Sequence, residues 1–125
     1  MFDQIVYTSV FVTDQDRALD FYTNAVGLEP RIDNPTPDGP RFLTVGVPGQ
    51  RFELVLWPGK PGEPQPVFGR IPASCTIEVP DCRQAFEELK ARGVEFETDI
   101  LEYPWGYTAV FVDPDGNRLQ VRQGR

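Results

Sequence analysis

The chain resembles itself at a fixed offset of 67 residues, and this limits the folds open to it more than any other feature. Val12 pairs with Val79, Asp14 with Asp81, Ala18 with Ala85 and Pro37 with Pro104. Further along, Gly39 pairs with Gly106, Val45 with Val112, Gly49 with Gly116 and Arg51 with Arg118. Identities spread over a whole half, not bunched in one motif, point to a duplicated supersecondary unit. Gly27 and Gly93 depart from the offset by one residue. At 125 residues, two copies make one domain or two tightly fused small ones.

Each half reads as strand, helix, then three strands. In the first, Ile5–Val12 is rich in β-branched and aromatic residues, as strands are. Thr13 or Asp14 caps a helix with apolar residues at Ala18, Phe21, Tyr22 and Ala25, the i, i+3, i+4, i+7 stripe. Gly27 supplies a left-handed stop. Leu28–Ile32 begins a strand, Asp33–Pro40 is a loop, and Arg41–Val47 with Phe52–Trp57 forms a hairpin around Pro48-Gly49. In the second half Ser74–Val79 is the first strand. Asp81 caps a helix striped by Cys82, Ala85, Phe86 and Leu89, and Gly93 ends it. Glu95–Leu101 follows, and Tyr107–Val112 with Arg118–Arg122 makes the last hairpin. Its turn, Asp113-Pro114-Asp115-Gly116, has Asp, Pro and Gly at the first, second and fourth positions of a type I turn.

The expected fold is therefore α+β: two tandem βαβββ modules, residues 1–57 and 73–125, in one domain, joined by a Pro- and Gly-rich linker at 58–72. One helix covers one face of each four-stranded mixed sheet, so the sheets should curve around a cleft, and clefts are where small molecules bind.

Composition removes whole classes of function. The chain has no histidine, which excludes Ser-His-Asp triads, two-His-one-carboxylate iron sites and His-bearing zinc sites built from this chain alone. A net charge of −7 argues against nucleic acid, whose phosphates need a basic surface. It favours a cationic ligand at long range. No apolar run reaches the ~20 residues that span a bilayer, so no membrane partner is expected. Met1-Phe2-Asp3-Gln4 lacks the start of a secretion signal. Cys75 and Cys82 form no metal or redox spacing, and two thiols make no disulfide framework. A cytoplasmic protein with an inert core thiol at Cys75 is the expectation.

Val12-x-Asp14 leading into Ala18-Leu19-x-Phe21-Tyr22 and Gly27-Leu28 resembles the first-module signature of the vicinal oxygen chelate superfamily, which includes glyoxalases, bleomycin-resistance proteins and extradiol dioxygenases. Ala85-Phe86-x-x-Leu89-x-x-x-Gly93-Val94, then Pro104-Trp105-Gly106 and Asp113-Pro114-Asp115-Gly116-Asn117, is similar to its second-module signature. The resemblance covers nearly the whole chain and implies paired βαβββ modules, commonly a homodimer with clefts at the module or subunit interface. It also implies a divalent-metal site at Tyr7, Glu53, Ser74 and Gln120, where family enzymes carry His, Glu or Gln. Of these only Glu53 is a good hard ligand, and a catalytic ion takes about three protein ligands. The expectation is no cofactor and a disfavoured metal.

What remains is the binding branch of the resemblance, metal-free dimers of the bleomycin-resistance type that hold a small molecule. By strand alternation Tyr7, Ser9 and Phe11 share one face, as do Ser74 and Thr76. Glu53, Val55 and Trp57 form a third row, and Gln120 with Arg122 a fourth. Trp105 sits on a loop that can border the cleft. These eleven residues are the expected ligand-binding set, while Val10, Val12, Ile77, Val79, Leu119 and Val121 point toward the helices. The competing expectation is a glyoxalase-like lyase or isomerase, with Glu53 as base and Tyr7 as proton donor. A third is a domain that binds a partner protein. Glu53 can equally be a carboxylate held by Tyr7, Ser74 or Gln120, and Glu78 with Arg122 can pair across neighbouring strands.

Overall fold

The structure, a computed structural model, describes residues 1–37, 39–60 and 73–125. The chain divides into two compact units, Met1–Pro61 and Gly62–Arg125. The first unit runs β1 (Tyr7–Val12), α1 (Gln15–Asp20) continuing into a π-helical turn (Phe21–Ala25), β2 (Glu29–Pro35), β3 (Arg41–Gly46) and β4 (Glu53–Pro58). The second runs β5 (Cys75–Glu78), α2 (Cys82–Ala91), β6 (Glu95–Phe96), β7 (Leu101–Tyr103), β8 (Gly106–Val112) and β9 (Arg118–Gly124). The sheet orders are β1-β4-β3-β2 and β5-β9-β8-β6, with β7 also on β8. In both sheets the first strand runs parallel to the last and the other pairs are antiparallel. This is the α+β pair of βαβββ modules that the repeat implies. Of the linker at 58–72, Pro58 ends β4, and residues 61–72 lie outside the described residues. Among the described residues no helix is long and apolar enough to cross a membrane.

Each helix starts on an aspartate. Asp14 accepts from the Arg17 amide at 3.1 Å and Asp81 from the Gln84 amide at 3.0 Å, satisfying one of the amides a helix start leaves open. Between helix and sheet lies the core. In the first unit Val10, Val12, Leu43, Val45, Leu54 and Leu56 are buried along with Ala18 and Tyr22. In the second, Ala109, Phe111, Leu119 and Val121 are buried along with Cys82, Phe86 and Leu89. Phe96 joins Phe86 and Phe111 there, with ring centroids 4.6 and 5.7 Å away. Each buried aliphatic or aromatic side chain contributes about 1.5–3 kcal/mol, so these faces carry the fold.

Two boundaries differ from expectation. The residues expected as a loop from Asp33 begin as strand: Asp33, Asn34 and Pro35 pair with Leu43, Phe42 and Arg41 beyond a bulge that follows Pro30. Arg41 clamps this extension with two bonds to Asp33, at 2.9 and 3.0 Å. The single strand expected over Glu95–Leu101 is two. The Glu97 and Thr98 amides both donate to the Val110 carbonyl, and Thr98 Oγ1 accepts the Val110 amide, so a side chain replaces a rung of the ladder.

Strand register also dissects the repeat. The two helix caps, Asp14 and Asp81, are 67 apart. Past the helix the offset becomes 66: Glu29 pairs with Gly46, and Glu95 with Val112. The lost residue sits in the π turn. Leu28 donates to the Tyr22 carbonyl in the first unit and Val94 to the Leu89 carbonyl in the second, one residue sooner. A π turn is how a helix absorbs one inserted residue. Past the final hairpin the offset falls to 65, because Gly46 pairs with Glu53 around a longer loop than the one between Val112 and Arg118. In the shorter loop Asp113 Oδ1 accepts the Asp115 and Asn117 amides at 2.9 and 2.8 Å, and Gly116 takes a left-handed φ of 85°. The identities at 67 beyond the helices therefore do not mark equivalent places in the fold.

Deleting exposed Asn24 should convert the π turn into ordinary helix and change stability by no more than about 1 kcal/mol, measured by urea unfolding. Deleting Gln84 from α2, which has no residue to spare, should prevent cooperative unfolding altogether.

Candidate functional site

In the first unit the face of the sheet turned away from α1 carries Tyr7, Ser9 and Phe11 on β1. In register with them on β4 are Glu53, Val55 and Trp57. These six expected site residues thus form one surface. Tyr7 and Phe11 are each 45% exposed while Val55 is buried. Phe42 on β3 belongs to it as well, meeting the Tyr7 ring edge-on at 5.6 Å across β4.

Glu53 is fully engaged, but by none of the partners expected from sequence. Its Oε2 lies 3.1 Å from Arg31 Nη1, and its Oε1 accepts from Thr44 Oγ1 at 3.0 Å. Arg31 Nη2 donates to the Val47 and Gln50 carbonyls at 2.6 and 2.7 Å. Its Nε lies 2.7 Å from Glu29 Oε1, an ion pair by distance that lacks hydrogen-bond direction. The Arg31 and Glu53 side chains are 17% and 13% exposed.

In the second unit Ser74, Thr76 and Glu78 are exposed along β5, beside Gln120 and Arg122 on β9. Gln120 Nε2 donates to Thr76 Oγ1 at 3.2 Å, and Arg122 Nη1 to Glu78 Oε1 at 2.6 Å. The repeat at 67 sets Gln120 as the counterpart of Glu53, but the register differs. Glu53 lies opposite Tyr7, and continuing the β5–β9 register sets Ser74 opposite Arg118, whose carbonyl accepts the Ser74 amide at 2.8 Å. The slip of two residues accumulated at the π turn and the hairpin is the cause. Arg118 is therefore the counterpart of Glu53, and Glu97 is the counterpart of Arg31. These two also bond, Nε to Oε2 at 2.5 Å and Nη2 to Oε1 at 2.9 Å. The duplicated fold carries one ion pair at equivalent places with its polarity reversed.

Hydrogen bonding to Arg118, aided by its charge and opposed by partial desolvation, holds the Glu97 carboxyl below the usual glutamate range. Burial pushes the Cys75 thiol up, in keeping with an unreactive side chain. Trp105 lies in the turn between β7 and β8, 60% exposed, with one ring face stacked on Tyr103 at 5.0 Å and 7°. Gly106 beside it has to be glycine, since a Cβ there would sit 2.1 Å from the Gln123 carbonyl oxygen. Sequence reading missed Arg31, Phe42, Thr44, Glu97 and Arg118. The signal available was the Gly27–Gly93 slip to an offset of 66, at which residues 31 and 97 carry opposite charges.

The sequence pattern of the Glyoxalase/Bleomycin resistance protein/Dioxygenase superfamily matches residues 4–121. The chain belongs to that superfamily. Among curated relatives, YetH of Bacillus subtilis (strain 168), itself uncharacterized, is 33% identical over 98% of this chain and 100% of its own length. The crystal structure of UcmS2 matches with a TM-score of 0.83 at 29% identity, covering 98% of each chain. TnmS3, an antibiotic binding protein from Streptomyces sp. CB03234, matches at 0.80 with 31% identity, covering 99% of this chain and 98% of its own.

Two outcomes follow. Arg31→Met should cost about 2–4 kcal/mol in urea unfolding, because it strands a mostly buried carboxylate and two carbonyls; Arg125→Met, at an exposed pair with Glu102, should leave the urea midpoint close to the native value. Because Glu97 has a lowered folded-state value, its contribution is complete above the ordinary glutamate range and fades as pH falls through that folded value. Arg118→Met should return the Glu97 carboxyl 13C titration to the ordinary range and remove that part of the acid lability.

Proposed function

We propose that this chain is a small-molecule-binding protein of the bleomycin-resistance type that works without a metal. It takes a flat, partly apolar ligand against the open sheet faces. The observation that carries this reading is the aromatic face of the first sheet: Tyr7 and Phe11 are each 45% exposed on the side opposite α1, around a carboxylate whose charge is already balanced. Exposed aromatic side chains on a rigid sheet offer stacking area with little ordering entropy to lose. The antibiotic-binding character of TnmS3, similar along its whole length, supports the same reading. The donor set argues against a metal. Glu53 is taken up by Arg31 and Thr44, Tyr7 packs on Phe42, and among the described residues no three His, Cys, Asp or Glu side chains gather. A net charge of −7 steers a cationic ligand toward the protein. A homodimer and a cytoplasmic location belong to the same proposal.

The lyase or isomerase alternative needs Glu53 as a base. Each Glu53 oxygen already accepts one hydrogen bond, from Arg31 and from Thr44, and protonation at either would weaken that bond, so the geometry does not favour that role.

Bleomycin is a suitable first probe, followed through Trp57 and Trp105 fluorescence. Saturable quenching is expected, weakened at least about tenfold (1.4 kcal/mol) by Tyr7→Ala with Phe11→Ala and unchanged by Val47→Ala. Binding that ignores the double substitution, or a turnover abolished by Glu53→Gln, would count against the proposal.

A further inference from the structure

We infer that Arg31 is a resident cation that keeps divalent metal ions off Glu53, leaving Glu53 as a fixed hydrogen-bond acceptor on the open face. The guanidinium has a built seat. Gly46 stands opposite Glu53 in the β3–β4 register, and a Cβ there would come within 3.1 Å of Arg31 Cζ and 3.2 Å of Nη2. Gly46 is not among the left-handed glycines, so the tight approach of Arg31 and of the Phe52 carbonyl at 3.3 Å, not the backbone conformation, favours glycine. Val47 and Gln50 grip the same group through their carbonyls. A metal ion approaching Glu53 Oε2 meets a positive charge already 3.1 Å away, and Oε1 is held by Thr44. Like charges at such range in a partly dry site repel strongly.

The second unit supports the same logic independently. There the counterpart of Glu53 is Arg118, a cation itself, and the carboxylate of that pair, Glu97, is held by two guanidinium bonds. At both places where the duplicated fold sets this pair, the carboxylate arrives with its own counter-ion. The inference deepens the metal-free part of the proposed function and rests on the same Arg31 and Thr44 bonds, but not on which small molecule is bound.

The chain has no histidine, so one introduced imidazole makes a clean reporter. Tyr7→His places it beside Glu53 in register. Ni2+ would be titrated by calorimetry into untagged, reduced protein. With Arg31 present, Y7H should bind Ni2+ no more tightly than the native chain. Y7H/R31M should bind at least about tenfold more tightly, and adding Glu53→Gln should abolish the gain. Y7H/R31K, which keeps the charge and loses the planar fork, should exclude the ion as Y7H does. Where R31M does not fold by circular dichroism, Gly46→Ala replaces it, shifting the guanidinium while leaving both charges in place, with a smaller gain in the same direction. Equal Ni2+ affinity for Y7H and for the variants with Arg31 removed or displaced overturns the inference, whether or not bleomycin binds.

Discussion

A β-sheet has two faces, and among the described residues each unit has one helix to cover them. Everything else in the molecule answers to that constraint. The covered face is apolar and buried, with Val10, Val12, Leu54 and Leu56 in one unit and Leu119, Val121 and Phe111 in the other. The other face cannot be aliphatic throughout without risking aggregation, and cannot be freely charged without losing its use for binding. The chain meets both demands by putting aromatic and small polar side chains there and by pairing its charges with each other.

The reversed ion pair shows how closely that second demand is met. Arg31–Glu53 and Glu97–Arg118 occupy equivalent positions in the two units, with Glu97 just past the end of β6. What the fold needs at those places is neutrality as a pair, and it tolerates either polarity. At an effective dielectric near 20 the attraction within such a pair is about 4 kcal/mol, and desolvation offsets much of it. Its main effect is thus on what the surface presents to a ligand. Hydrogen bonds to Val47 and Gln50 extend the first pair into the hairpin loop, which fixes the carboxylate oxygen in place.

Most of the architecture was legible in the sequence because it follows from local patterns. Asp14 and Asp81 read as caps and are caps. The alternation that put Tyr7, Ser9 and Phe11 on one side and Val10 and Val12 on the other survives in the exposures. What failed was counting. A constant offset of 67 assumes no insertion, yet one residue is absorbed in the π turn, marked only by the Gly27–Gly93 slip, and another in the hairpin, which leaves no mark on local propensity. Glu53 was therefore matched to Gln120 instead of Arg118. Arg31 was passed over because its role depends on a glycine fifteen positions away, on a strand it only adjoins after folding.

That slip bears on how superfamily likeness should be read here. A signature aligned along the sequence places four side chains by their spacing, but chemistry depends on which neighbours fill the space between them. Thr44 lies on a strand whose pattern is wholly ordinary, yet its hydroxyl takes up one oxygen of Glu53. The superfamily scaffold is retained in strand order, caps and turns, all set by backbone hydrogen bonding. The character of the open face is set by two residues, Arg31 and Gly46, that have no place in the signature. A chain can thus keep every architectural mark of its superfamily while a single guanidinium, seated where a glycine leaves space, changes what the one carboxylate among its four signature positions can bind.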